Sequence, residues 1–461
     1  MTVILIFGTF MFVSCEKEIL IDDPHAKLVF SADTVIFDTI FTTIGSSTRH
    51  FKVLNPYDNI LEISSIRLSG SPESPYRINV DGISGNTFNN ILLPGGDSIY
   101  IFVEATIDPV DGDLPMVIED SVVFVTNGNM QDVKLVAWGQ DVNILEGRVF
   151  ETETLIAGKP YLVYDYLLVD SGQVLNIEPG VRIHFHRNSG LYVSGSINAA
   201  GTCDDPVVFE GARTESSYRN IPGQWEGIWL MPGSSGNRLV NARVRNAVNG
   251  ILADTVGSSA STTLYLSNSR IENMTHAGIF ARGAVVYADN SVIANCGFHS
   301  VALTSGGDYT FNHCTIANYW NLSSRQTPSV IIENYYTDIA GKIQLRPVKA
   351  LFGNSIIYGS RGSEVGLSVN PEANFEVSFN HCLVSVETNL HAFLSFNNSI
   401  LDLPPDFIDP LGFNYRLSGT SPAIDTGDPD IGYLYPFDHE GKIRPYGDGP
   451  DMGAFEWHAE E

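Results

Sequence analysis

Two short stretches place ionisable side chains two residues apart, the spacing at which a β-strand presents them on one face. In Arg182-Ile183-His184-Phe185-His186, Val181, Ile183 and Phe185 would point inward, leaving Arg182, His184 and His186 as an outward row. Such a row would contact an anionic sugar or a metal; the alternative is a solvated strand face. In Lys342-Ile343-Gln344-Leu345-Arg346, Lys342, Gln344 and Arg346 point one way, with Glu333 in a neighbouring segment placed to pair with them or to bind calcium. A basic group there could take a proton beside a carboxylate while a second cation neutralises that carboxylate; the alternative is a salt-bridged surface. Trp225, Trp229 and Trp320 are candidate platforms for sugar rings, Trp320 the more so because it adjoins an irregular stretch. Asp425, Asp428 and Asp430 could hold calcium together with loop carbonyls, or could bond the backbone instead. The chain shows no Ser/His/Asp triad, phosphate-cradling glycine loop or zinc spacing.

The elements that must position these groups are announced by a repeated hexapeptide. Leu266-Ser267-Asn268-Ser269-Arg270-Ile271 and Phe311-Asn312-His313-Cys314-Thr315-Ile316 are two of six copies, whose central residues are Asn241, Asn268, Asn290, His313, Asn354 and His381. β-rich repeats of this size indicate a solenoid, because one coil cannot bury its own apolar residues and must stack on its neighbours. Asn fits where a chain turns a corner, since it tolerates left-handed backbone angles. A second series, Asn246, Asn273, Asn295 and Asn318, follows the first four copies by five residues and is expected to stack in a line at one corner. The interval of 41 between His313 and Asn354 is too long for one coil and predicts a hidden coil or a lateral loop near Ser323 to Thr337. Cys314 and Cys382 share one place in the repeat, occupied by Ser355 in the copy between, and read as small core residues.

The 461 residues carry a formal charge of −27, from 53 acids against 26 Lys and Arg, which argues against nucleic acid as a partner. The apolar content of 43% is enough for real cores. Residues 1–14 are almost purely apolar, too short to span a bilayer and suited to a signal peptide. Phe12-Val13-Ser14-Cys15 resembles a lipobox, which implies lipid attachment at Cys15; Phe stands where Leu is usual and no Lys or Arg precedes the run. Residues 15–23 then read as a polar tether.

Residues 24–141 alternate in short runs separated by turn clusters, the pattern of a β-sandwich. Phe51-Lys52-Val53-Leu54-Asn55, Leu93-Pro94-Gly95-Gly96-Asp97-Ser98 and Ala137-Trp138-Gly139-Gln140 resemble immunoglobulin-like domains of the abnormal-spindle and choice-of-anchor D type, which implies a stalk or adhesion module. In residues 142–404, Glu178-Pro179-Gly180, Ser194-Gly195-Ser196 and Trp225-Glu226-Gly227-Ile228, together with the Asn series, resemble secreted right-handed parallel β-helix proteins. Residues 405–461 resemble the choice-of-anchor Q region that closes many bacterial β-helix proteins, through Ser421-Pro422-Ala423-Ile424-Asp425-Thr426-Gly427, Arg444-Pro445 and Gly449-Pro450-Asp451-Met452-Gly453-Ala454-Phe455-Glu456. A cap covers the strand edges and core that an open solenoid end exposes.

The expected architecture is therefore all-β: a signal peptide, a tether, an N-terminal Ig-like β-sandwich, a right-handed parallel β-helix and a C-terminal cap. The expected function is a lipid-anchored cell-envelope protein, an outer-membrane lipoprotein that binds an extracellular glycan or an envelope protein without catalysis. No cofactor is expected, calcium at Asp425, Asp428 and Asp430 being the alternative. The β-helix fold also hosts polysaccharide lyases and glycoside hydrolases, and the Lys342 and Arg346 face resembles the basic face of a lyase. An enzyme of either kind is the second expectation.

Overall fold

The structure, a computed structural model, describes residues 19–113, 115–254 and 262–459. The signal-peptide and lipidation readings at residues 1–14 and Cys15 lie outside the described residues. The chain forms two units, Met1–Asp141 and Val142–Glu461.

The first unit is a sandwich of two five-stranded sheets. One sheet orders Val29–Phe30, Arg49–Leu54, Ser98–Ala105, Tyr76–Val80 and Ile83–Gly85; the other orders Thr34–Phe41, Asn129–Gln140, Met116–Thr126, Leu61–Leu68 and Thr87–Leu93. Strict alternation makes each strand two-faced: along Ser98–Ala105, Ile99, Ile101, Val103 and Ala105 are buried while Tyr100 and Glu104 face out. These inner faces meet Phe51, Ile63, Phe124 and Leu135 in one core.

The second unit is a parallel β-helix. Each coil lays down up to three strands, and three parallel ladders run along the stack. One is a sheet of ten strands from Glu153–Leu155 to Ser395–Asn397. The register is constant: Leu264, Val286, Tyr309, Ala350 and Val377 occupy one inward column over five coils. A continuous apolar core runs from Leu145 to Val386. Phe311, Phe352, Phe379 and Phe396 stack along it with ring centroids 5.2, 4.9 and 5.2 Å apart.

The corners explain the repeats. Asn241, Asn268, Asn290, His313, Asn354, His381 and Asn398 all adopt φ between 44° and 50°, a left-handed conformation that few side chains other than Asn tolerate cheaply. Asn398 belongs to a seventh copy, Phe396-Asn397-Asn398-Ser399-Ile400-Leu401, only 17 residues after His381. The next residue of each copy builds a second line of bonds. Ser291 Oγ accepts from Ser269 N, Ser355 Oγ from Cys314 N, and Ser399 Oγ from Cys382 N, at 3.1, 3.0 and 3.1 Å. The Cys314 and Cys382 thiols take the hydroxyl's place, donating to Asn312 O and Asn380 O at 3.4 Å each. Burial raises both thiols, Cys382 to about 12, so they are inert. In Trp225-Glu226-Gly227-Ile228 the glycine is required: a Cβ at Gly227 would lie 1.8 Å from Asn249 O of the next coil.

The long interval holds no hidden coil. Gly307–Asn312 pairs directly with Val348–Gly353, and Thr315–Asn318 with Ile356–Gly359. The surplus leaves the stack as two excursions, one at residues 319–329 and one an antiparallel hairpin of Tyr335–Thr337 with Ile343–Leu345.

The C-terminal region does not sit on the end of the stack. It lies along a flank, with Tyr415, Ala454 and Phe455 on Val292, Ala294 and Ala317, and Leu417, Ala423 and Met452 on Ile356 and Leu383. It grips the corner residues: Arg444 Nη1 donates to Asn290 Oδ1 at 2.6 Å, and Asp428 N to Asn354 Oδ1 at 2.6 Å. At the final coils, Leu390, Leu394, Phe396 and Leu401 pack on the core instead, the first of them from the 3₁₀ turn Thr388–Phe393.

Candidate functional site

Along one ladder of the second unit the outward column is apolar. Tyr192, Trp229, Leu252, Phe280, Ala302 and Ile331 are register partners in six successive coils. Each stands between two buried inward residues, so its side chain leaves the core. Ala302 is buried and the other five are half-buried, so the column is a partly exposed apolar strip, the kind of surface on which a ligand or partner can settle.

The last part of the column is the floor of a groove of about 290 Å³. Phe280, Ala302, Ile331 and Ala277 form the base. One wall is a corner stack in which Phe298 N donates to His276 O at 3.0 Å and the two rings meet edge to face at 5.2 Å. Phe298 is 52% exposed, an aromatic face left in water beside the floor. Asn249 and His299 complete that wall, and Thr304 and Glu333 line the other.

The polar groups of the groove are mostly acceptors. His299 Nδ1 lies 2.7 Å from Pro328 O. A carbonyl only accepts, so Nδ1 carries the hydrogen, and the neutral ring keeps Nε2 as an acceptor. Burial lowers this histidine's pKa. Asn249 Oδ1 is buried without a hydrogen-bond partner among the described residues. Glu333 makes no ion pair among the described residues, and burial raises its pKa. Arg282, 5.9 Å from the Phe280 ring centroid, is ion-paired to Asp254.

The other residues singled out in the sequence do not converge here. Lys342 and Arg346 lie in and beside the lateral hairpin rather than on a coil. Lys342 N and Gln344 Nε2 donate to Asp338, while Arg346 N donates to Asn334 O. The strand here covers only Ile343–Leu345 and belongs to an excursion, with Ile343 exposed, so the basic face expected on the helix is not formed. Arg182, His184 and His186 form no row either. The strand ends at Phe185; Arg182 is exposed, whereas His184 is 7% exposed and 3.6 Å from Glu210, and burial lowers its pKa. His186 instead rests on Tyr164, with ring centroids 4.8 Å apart. Trp320 is 8% exposed with Nε1 bonded to Ser323 Oγ at 2.9 Å, so its face is closed to a sugar. Trp225 packs flat on Phe185 at 4.1 Å.

Asp425, Asp428 and Asp430 share no ligand point. Asp425 Oδ1 accepts from Gly449 N, while Asp428 caps the turn Pro429–Gly432 by accepting from Asp430 N and also accepts from Asn380 Nδ2. No group of three His, Cys, Asp or Glu among the described residues is arranged to hold a metal ion. Asn273 Nδ2 donates to Asn246 Oδ1 at 2.7 Å and Asn295 Nδ2 to Asn273 Oδ1 at 3.0 Å. Asn318 departs from this line: its amide turns to Cys296 N and O, because the chain leaves for the first excursion there.

Of the groove, only Glu333 was legible beforehand. The missed signal was a series of apolar triplets, Leu191-Tyr192-Val193, Ile228-Trp229-Leu230, Ile251-Leu252-Ala253 and Ile279-Phe280-Ala281, whose middle residue breaks the alternation.

No protein-family model matches the sequence, and no curated protein matches it. Among solved structures, the chain is similar to the ASH/PapD-like domain 7 of human CEP192, at 12% identity over 29% of this chain and 100% of that one, with a TM-score of 0.19. It is also similar to the E. coli chaperone DraB, at 15% identity over 26% of this chain and 58% of that one, TM-score 0.18. A third is WR4, a C. elegans MSP family member, at 10% identity over 25% and 99%, TM-score 0.17.

Proposed function

We propose that the protein is a lipid-anchored protein of the cell envelope, presented at the outer membrane, whose β-helix binds a neutral extracellular glycan without cleaving it. The observation that carries this reading is the groove's chemistry: an aromatic and aliphatic floor beside acceptor groups, among them the buried, unpartnered Asn249 Oδ1. A sugar offers an apolar C–H face to Phe280 and Phe298 and hydroxyl donors to Asn249, His299 and Glu333. An anionic glycan is disfavoured, because the groove's described lining holds no Lys or Arg and Arg282 beside it is already paired. Cys15 is the proposed attachment point of the anchor.

Catalysis is disfavoured by the same inventory. Glycosidases of the usual kinds need two carboxyl groups flanking the bond, and the groove's described lining contains one, Glu333. A lyase needs a base and a neutralising cation beside a uronate, and Lys342 and Arg346 stand on the lateral hairpin.

The test is a panel of neutral, uronate-bearing and sulfated oligosaccharides against the full chain, with Phe280→Ala beside it. Neutral sugars should bind best, and Phe280→Ala should weaken them at least about tenfold, in keeping with the loss of a buried aromatic contact. Retention of full affinity in Phe280→Ala, or release of cleaved products, would refute the reading.

A further inference from the structure

A second cavity, of about 390 Å³, lies at the seam between the C-terminal region and the coils that carry Arg243 and Arg270. Its lining sets four cations, Arg243, Arg270, Arg416 and Lys442, against two carboxylates, Asp204 and Glu440. Arg416 and Lys442 both reach Glu440, at 2.7 and 3.7 Å. Arg270 is held by Glu272, which lies outside the lining, at 2.8 Å. Arg243 is a cation of this lining without a hydrogen bond or ion pair among the described residues.

Arg243 and Arg270 are register partners on adjacent coils, so their guanidinium groups stand one rung apart. Acids outnumber Lys and Arg 53 to 26 in this chain, yet no acid of the described residues, Asp204 on the same lining included, forms an ion pair with Arg243. Asn268, a corner residue on the same lining, makes no side-chain hydrogen bond among the described residues; its Oδ1 is buried, and Nδ2 is the atom it could turn to an anion. The buried His439 ring reports the same positive field: burial first, then Arg270, Arg243 and Arg444, hold its pKa down to about 3.

We propose that this seam binds a small anionic ligand, a carboxylate, sulfate or phosphate group on a polar body, with Arg243 as the principal counter-charge and Asn268 Nδ2 as a second donor. The volume lies within the range of roughly 300–1,000 Å³ typical of small-molecule sites. It admits a sugar acid or an esterified sugar, and the site is separate from the groove at Phe280.

Isothermal titration of the full chain with glucuronate, inorganic sulfate and inorganic phosphate at low ionic strength tests this. At least one should bind saturably, Arg243→Ala should weaken it tenfold or more, and Arg243→Lys should retain part of the affinity. Tighter glucuronate points to a sugar acid; tighter sulfate or phosphate points to an ester. Arg243 is exposed, so Arg243→Ala should melt at the parent temperature, and Phe280→Ala should bind these anions as the parent does, which separates this site from the groove. Absence of saturable binding by all three probes, or undiminished affinity in Arg243→Ala, would overturn the proposal.

Discussion

A buried amide can satisfy another only if both sit at the same height in successive coils. Asn246, Asn273 and Asn295 do, each with φ between 54° and 65°. Asn273 is the middle member, donating to one neighbour and accepting from the other. Asn273→Leu should therefore strand two amides, at a cost of about 1–3 kcal/mol each, with added strain from a branched side chain in the left-handed region. Chemical denaturation would measure the loss, and glycan affinity should not change. A second residue-scale prediction concerns pH. Burial, then Glu456, raises the Asp451 carboxyl to about 7 from an ordinary 3.8. The folded state then holds a proton that the unfolded chain has lost between about pH 4 and pH 7. This group's contribution is complete below about pH 4 and fades as pH rises through 7. Asp451→Asn should flatten that part of the stability profile, measured by denaturation midpoints from pH 4 to 8; a slope unchanged by the substitution would show that Asp451 titrates normally.

At the scale of elements, the informative piece is the first excursion. It returns to the stack through Arg325, whose two terminal nitrogens meet both oxygens of Glu364 at 2.9 and 2.7 Å, with side chains 2% and 0% exposed. Ser329 N and Oγ also donate to Glu364. Removing one partner leaves a buried charge, so Arg325→Met should cost about 3–5 kcal/mol, and Arg325→Met with Glu364→Met should recover part of it. A double-mutant cycle by thermal or chemical unfolding checks both statements. The excursions also show where legibility stopped. Coils were readable because their inward residues recur at a nearly fixed interval, and the interval of 41 announced extra chain. Nothing in Tyr335 to Arg346 distinguishes an alternating strand on the stack from one that leaves it as a hairpin, since both have period two. The Phe280 groove was missed for the converse reason. Its apolar triplets look like ordinary core strands, and only the register reveals that their middle residues face out.

At the scale of the whole second unit, the C-terminal region supplies the long-range contacts that a stack of coils lacks. Solenoid stability is normally a sum of nearest-neighbour terms. Here residues 415–455 reach coils from Asn290 to Leu383, and the motif residues that resembled a capping family prove to be the gripping points, Arg444 on Asn290 among them. That this region covers a flank and not the end was not legible, because a cover for either surface needs the same apolar residues. A chain ending at residue 404 should bare Val292, Ala294, Ile356 and Leu383, all 0% exposed in the full protein. It should bind a hydrophobic dye and unfold at a lower denaturant midpoint than the full chain. An unchanged midpoint would mean that the flank needs no cover.

The hydrogen bond from Arg444 to Asn290 joins residues 154 positions apart, and that separation is also a delay. A ribosome adding about 5–20 residues per second makes Asn290 roughly eight to thirty seconds before its partner exists. Throughout that wait the coils have their strands but an uncovered apolar flank. On the proposed route to the cell envelope, the nascent chain would have to be kept from stacking too early, or from pairing that flank with another copy, until its final strap arrives.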